Sequence, residues 1–442
     1  MNIRFFLFFV LMISNINTWA IETIVINRGL VDPMPIAINN FDADSGAANF
    51  TGEQIVEVIS NDLKNSGLFR PISKVAFIEK KLGITHKPLF AAWRQINANL
   101  LINGNIKKIS SGKYELSFIL WDTVLQKEII GEVLNVPEKL WRKGAHKIAD
   151  KIYAEITGDQ GYFDSRVVYV AESGPYLKRK KRIAIMDQDG ANHSYLTSDK
   201  DLVLTPRFSP DADEILYLSY AKKLLKVHRL DLKTGKDVIL GKFAGMSFSP
   251  RFSPDGKKAL ISIAKNGQTH IYELDLKTLT TVQLTDGYGI NTSPSYSPDG
   301  NKIVFNSERG GSWQIYTMST DGSNIKRISF GKGLYTIPVW SPRGDYIAFT
   351  KKTKEHGFTI GVMRPGSDNE DNAERIIAQG YLVEGPTWSP NGRLIMFTRA
   401  EKSRGAIAGR SRIYSIDLTG YNEKEIKTPG DASDPDWSKN LD

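Results

Sequence analysis

Downstream of residue 165 the chain alternates apolar and polar positions in short runs, such as Arg166-Val-Val-Tyr-Val170 and Lys302-Ile-Val-Phe305, closed by Gly, Pro, Asp or Ser. Period-two alternation bounded by such residues predicts strands rather than helices. The runs also repeat. Six segments align: Pro206-Arg-Phe-Ser-Pro-Asp-Ala, Pro250-Arg-Phe-Ser-Pro-Asp-Gly, Pro294-Ser-Tyr-Ser-Pro-Asp-Gly, Pro338-Val-Trp-Ser-Pro-Arg-Gly, Pro386-Thr-Trp-Ser-Pro-Asn-Gly and Pro435-Asp-Trp-Ser-Lys-Asn. Their first prolines are 44, 44, 44, 48 and 49 residues apart, the period of a four-stranded propeller blade. In the repeat at 294–331 an aromatic strand around Tyr296 ends in Ser-Pro-Asp-Gly, where proline pre-sets φ and glycine accepts a positive one. Further strands are predicted at 302–305, 314–318 and 326–329, with a hairpin turn at 320–323. The third motif position (Phe208, Phe252, Tyr296, Trp340, Trp388, Trp437) is expected to pack between neighbouring blades.

The ends of the array predict how it closes. Runs at 166–170, 182–186 and 194–197 correspond to strands two, three and four of a blade, and the missing first strand is Pro435-Asp-Trp-Ser438. Joining them gives six blades, closes the ring and pairs the strand edge that would otherwise be left exposed. Ahead of the array, strands are predicted at 23–26, 35–38, 100–109, 113–121 and 128–134. One helix is expected from a capping box at Thr51 and Gln54 to Gly67, with Ile55, Ile59 and Leu63 on one face. A second is expected over 137–157, stopped by Gly158. The apolar run Phe5–Ile13, followed by small residues at Thr18 and Ala20, fits a secretory signal and is too short for the ~20 residues of a bilayer span. The expected organisation is a signal peptide over 1–20, an α+β domain over 21–162 and an all-β six-bladed propeller over 163–442, with 158–165 as the linker. Export without direct membrane insertion follows from that leader.

Composition mainly removes possibilities. The chain has 442 residues and no cysteine, which excludes disulfides, thiol catalysis and thiolate metal sites. Its net charge of +9 comes with no helix-turn-helix or aromatic-and-basic RNA motif, so no nucleic-acid partner is expected. The six histidines are scattered, and no HExxH, GxSxG, P-loop or dinucleotide glycine pattern occurs, so no catalytic residue, metal or cofactor is expected. Asp42-x-Asp44-x-Gly46 and Asp187-x-Asp189-Gly190 fall short of a calcium loop, and the second reads as a hairpin turn. The basic run at 178–182 reads as a solvated loop or a contact for an acidic partner. An enzyme (hydrolase or lyase) or a glycan-binding propeller would need converging charged groups in the tunnel. There the innermost strands offer Arg207, Arg251 and Asp436 among Ser, Pro and aromatics.

A four-stranded meander puts the Ser-Pro-Asp-Gly turns and the strand three-to-four turns on one face, and the longer, more variable loops on the other. Met246, Phe248, Tyr335 and Val383 are expected to supply apolar anchors at that loop-side mouth. The propeller motif, the early strand Glu22-Thr-Ile-Val-Ile-Asn27, the segment Pro35-Ile-Ala-Ile38 and the junction Ile156-Thr-Gly-Asp-Gln-Gly161 together resemble the TolB family of the Tol–Pal envelope system, across essentially the whole chain. Departures at Ala212, Arg343, Asn391 and Lys439-Asn440 are expected only to weaken single turns. The resemblance implies a non-catalytic, monomeric periplasmic hub that supports outer-membrane integrity and constriction at cell division. It implies binding of the peptidoglycan-associated lipoprotein, Pal, at Met246, Ser247, Phe248, Asn291, Thr292, Ser293, Tyr335, Thr336, Val383 and Glu384. It also implies that Glu22, Thr23, Ile24, Val25, Ile26 and Asn27 bind the C-terminal domain of TolA, and that the two events are coupled. An exposed strand of this kind suits β-augmentation.

Overall fold

The computed structural model describes residues 32–441 apart from 45, 81, 110–111, 176–177, 222–223, 244–246, 288, 367–373 and 404–408. The expected signal peptide, the strand at 23–26 and Met246 lie outside the described residues. The α+β unit runs β1 (Met34–Ile38), β2 (Asp42–Ala43), α1 (Gly46–Asn65), β3 (Phe69–Pro71), α2 (Phe90–Gln95), β4 (Leu100–Ile109), β5 (Lys113–Asp122), β6 (Lys127–Pro137) and α3 (Trp141–Thr157). Its sheet has the order β3-β1-β4-β5-β6, with β1 parallel to both neighbours and β4-β5-β6 an antiparallel meander. Strand alternation sorts the two faces. Ile36 and Ile38 pack into the core with α1 and α3, while Ala37 joins Trp93, Leu101 and Phe77 beside α2.

The expected apolar stripe of α1 holds, since Ile55, Ile59 and Leu63 are fully buried. Its start does not. The helix begins at Gly46, so Thr51 is inside it and its hydroxyl lies 3.4 Å from that of Tyr114 instead of capping. Ala47 and Ala48, strong helix formers, carry the first turn past the apparent capping box. At the other end of the unit α3 stops at Gly158, whose φ of +72° suits a residue without a side chain.

Five blades follow in simple order: 202–243, 247–283, 291–327, 334–380 and 382–426. The sixth is closed by Asp431–Asn440, which pairs antiparallel with Ser165–Ser173 ahead of Lys180–Asp187 and Ser194–Tyr195, as the sequence predicts. Each first strand carries a bulge at its midpoint, for example between Leu204 and Arg207 and between Thr336 and Val339. The residue before the motif proline is left-handed there: Thr205, Ser293, Ile337 and Asp434 have φ of 48°, 52°, 51° and 56°, and Gly385 has 66°. β-branched Thr and Ile rarely adopt that geometry, so the blade frame imposes it. The six motif aromatics pack into the blade cores or against them, with their polar tips satisfied. Trp388 Nε1 donates to the Val339 carbonyl and Trp437 Nε1 to Ser165 Oγ.

The segment expected as a linker is part of the core. Tyr162 and Phe163 are buried in one apolar cluster that contains Ile152 and Ile156 of α3 and Trp437 and Met396 of the propeller. The Asp150 carboxylate accepts the amides of Phe163 and Asp164 at 2.7 and 3.0 Å, and burial lifts its pKa to about 7. Three of the motif departures have a function here. Arg343 pairs with Asp159 at 3.0 Å, Asn391 Nδ2 donates to the Gln160 carbonyl at 2.8 Å, and Asn440 Nδ2 donates to the Gly161 carbonyl at 2.7 Å. Successive residues of the connecting segment are thus tied to successive blades, and the departures dock it rather than weaken turns. Gly161 fits only because it lacks a Cβ, which would sit 2.2 Å from Asp150.

A substitution toward the repeat consensus should therefore be harmful. In Asn391→Asp the new carboxylate still accepts from Ser389 and Arg393, but loses its donor and faces the Gln160 carbonyl in a buried site. The expected loss is about 1–3 kcal/mol in urea unfolding, and unchanged or raised stability would refute the docking role.

Candidate functional site

The α+β unit covers the turn side of the ring. Besides the ties from 159–161, Asn422 and Lys424 donate to the Asn65 carbonyl, Gln188 donates to Asp62, and Arg142 pairs with Asp189. All of these blade residues sit on or beside Ser-Pro turns or strand three-to-four turns. On the same side the six motifs surround the tunnel end, a space of about 360 Å³. The first strands begin on the opposite, loop side.

Charged groups do converge in the tunnel, but on one another. Arg207 Nη2 lies 3.0 Å from Asp434 Oδ1, and Asp436 lies 4.0 Å from Arg207 and 3.8 Å from Arg251. Asp436 also accepts the Phe208 amide at 2.8 Å and Asp434 the Thr205 amide at 3.0 Å. Burial, with Arg207 alongside, lowers Arg251 to about 10. The carboxylates thus lock the closing strand to the first blade.

A second constellation escaped the sequence reading because it is assembled across strands. Ser219 Oγ is 2.9 Å from His228 Nε2, and His228 Nδ1 is 3.1 Å from both Asp237 oxygens, the spacing of a nucleophile–base–acid relay. Ser219 is only 4% exposed, however, and the Tyr217 hydroxyl donates to Asp237 at 2.7 Å within the same ladder. The set lies away from the tunnel end and the domain joint. A buried serine with no access for substrate makes this a cross-strand polar ladder.

On the loop side, Asn291 donates to the Thr269 carbonyl and accepts from Arg309, both at 3.0 Å. Thr292 accepts from Asn306 at 2.8 Å, while Ser293 and Thr336 are half-buried. Ser247 and Phe248 begin the first strand of the second blade. Glu384 is half-buried, and burial, reinforced by Asp434, raises its pKa. Two expected anchors need correction. Tyr335 is 1% exposed in the fourth-blade core, its hydroxyl on Glu374, and Val383 is fully buried in the apolar cluster that also holds Trp388 and Phe397. Neighbouring positions instead present apolar surface, Leu334 at 42% and Tyr381 at 59% exposure. Leu334 and Tyr335 are adjacent on one strand, where a one-residue offset reverses the face, while Tyr381 stands just ahead of the strand that begins at Leu382.

The basic run at 178–182 is largely neutralised within its own blade. Arg179 binds Asp431 and lies 3.5 Å from Glu172, Lys181 lies 3.1 Å from Glu172, Lys180 pairs with Asp199, and Arg182 stacks over Tyr195. It is therefore a rim network rather than a free basic patch. Among the described residues no helix is long and apolar enough to cross a membrane.

Comparison with known proteins agrees with this architecture. Residues 153–441 match the TolB beta propeller domain and residues 22–129 the TolB amino-terminal domain. The Tol-Pal system protein TolB of Rickettsia bellii (strain OSU 85-389) is 63% identical over 436 residues, 98% of each chain. That of Rickettsia conorii (strain ATCC VR-613 / Malish 7) is 60% identical over 440 residues, covering 98% of this chain and 99% of the relative. The crystal structure of TolB from Acinetobacter baumannii superposes with a TM-score of 0.81 at 28% identity, over 93% of this chain and 98% of that one. With both units matched and relatives aligned along nearly its whole length, the chain belongs to the TolB family of Tol-Pal system proteins.

Proposed function

We propose that this protein is a non-catalytic periplasmic hub whose loop-side propeller mouth binds the Pal lipoprotein, while Glu22–Asn27 pairs with the C-terminal domain of TolA. The observation that carries the reading is the asymmetry of the ring. The connecting segment and the α+β unit occupy the turn side, and the tunnel charges satisfy one another, which leaves the loop side as the docking surface. Leu334 and Tyr381 give it apolar anchors, with the Glu172–Arg179–Asp431 network as a polar rim, the anatomy of a protein-binding site.

Coupling between the two partners has a physical route in this reading. A cleft of about 820 Å³ lies between α1, β3 and the fifth blade, lined by Pro33, Leu68, Phe69, Thr419 and Tyr421 among others. In this reading residues 22–32, which precede the lining residue Pro33, dock in that cleft or are released to TolA. The test is calorimetric titration of the protein from Ile21 onward with a Pal periplasmic domain, repeated after removing residues 21–32. Submicromolar binding that changes on truncation supports both parts. Absence of binding in either form refutes the hub.

A further inference from the structure

We propose that His146, Asp187 and Asp189 form a binding site for one divalent transition-metal ion of the zinc class, clamping the α+β unit to the propeller. One ligand atom from each residue lies within 4.8 Å of the others. Tetrahedral zinc with nitrogen and oxygen ligands at about 2.0–2.2 Å needs those atoms a little over 3 Å apart, so closure by roughly an ångström completes the set. The three residues come from two units. His146 stands on α3, and both aspartates flank Gln188 at the turn after Lys180–Asp187 of the closing blade.

The observation that points to an ion is the state of His146. It is 3% exposed, and its Nδ1 is engaged by Asp62 Oδ2 at 2.6 Å. Its buried Nε2 has no hydrogen-bond partner and faces Asp187 Oδ2 at 4.0 Å, too far for a hydrogen bond. Carboxylate to imidazole to metal is the usual support for a ligating histidine, and Asp62 is itself fixed by Gln188 Nε2 at 2.9 Å.

The charges at the cluster are consistent with a cation. Asp187 and Asp189 both carry carboxylates toward the buried imidazole; Arg142 binds Asp189 and lies 3.5 Å from Asp187, while Arg166 and Lys424 act on Asp187 and Asp62 without an ion pair. Each carboxylate keeps lone pairs beyond those taken by Arg142, Ala191 and Asn192. A buried imidazole nitrogen favours zinc-like ions over calcium or magnesium, which take oxygen ligands. A proton is the competitor: burial opposes it, but Asp62, with Asp189 and Asp187 behind it, lifts His146 to about 9. Metal binding must displace that proton.

The experiment is calorimetric titration of the chelator-stripped protein with zinc chloride at pH 8, with parallel thermal melts. The expected result is one saturable site, a raised melting midpoint and proton release that varies with buffer ionisation. His146→Gln and Asp189→Asn should each weaken binding tenfold or more while retaining the parent far-ultraviolet spectrum; the second keeps the proposal testable if the first misfolds. No zinc binding, binding that survives Asp189→Asn, or equal binding of magnesium overturns it. A melting midpoint that follows pH but ignores zinc would assign the cluster to the proton and overturn it as well.

Discussion

Removal of residues 431–442 is expected to abolish the native fold, not merely loosen its last blade. The closing strand is where the ring, the tunnel charges and the domain joint meet. It supplies the partner of Ser165–Ser173, and without it that strand becomes an exposed edge. It takes away Asp436 from Arg207, Arg251 and the Phe208 amide, leaving buried guanidinium groups uncompensated. It also removes Trp437, which packs against Tyr162 with ring centroids 5.8 Å apart and donates to Ser165. Trp437→Ala alone should cost about 3–5 kcal/mol, a large part of the ~5–15 kcal/mol that holds a typical domain together. Size-exclusion chromatography and circular dichroism should find the truncated chain aggregated or unfolded, and the point variant folded with a lowered midpoint. A monomeric truncated chain with a cooperative melt would show that the ring does not depend on closure.

What the sequence made legible follows from which signals are local. The Ser-Pro-Asp-Gly spacing gave every blade, and the orphan strand at 435–438 gave the closure, because each rests on turn chemistry and period-two patterning. Helix stripes read correctly for the same reason, whereas the start of α1 was misplaced because Thr51 and Gln54 imitate a cap that two alanines upstream override. The short strands β2 and β3 and the helix α2 carry too few residues for any period to show. Contacts made across blades were not legible at all. Arg343, Asn391 and Asn440 look like eroded repeat residues until the connecting segment is seen lying on them. For the proposed site, the sequence supplied a face to propose but not its exposed side chains. Knowing which ends of the strands form the mouth required only topology, while choosing Leu334 over Tyr335 required the register and the bulge.

That choice yields the second large effect. Leu334→Glu combined with Tyr381→Glu is expected to weaken binding of the Pal domain at least 100-fold, because two central apolar anchors at about 2 kcal/mol or more each are replaced by charges that must be desolvated. Both positions are exposed, so the melting midpoint should stay near that of the parent. Val383→Ala should do the reverse. Its side chain is fully buried in the apolar cluster that also holds Ile360 and Phe397, and losing two methyl groups there costs about 1–3 kcal/mol while affinity stays within a few-fold. Measured together by calorimetry and thermal melts, the two variants separate recognition from packing. If the double variant binds like the parent, the partner does not use these anchors. If Val383→Ala loses affinity at unchanged stability, the mouth must rearrange on binding to expose what is now core.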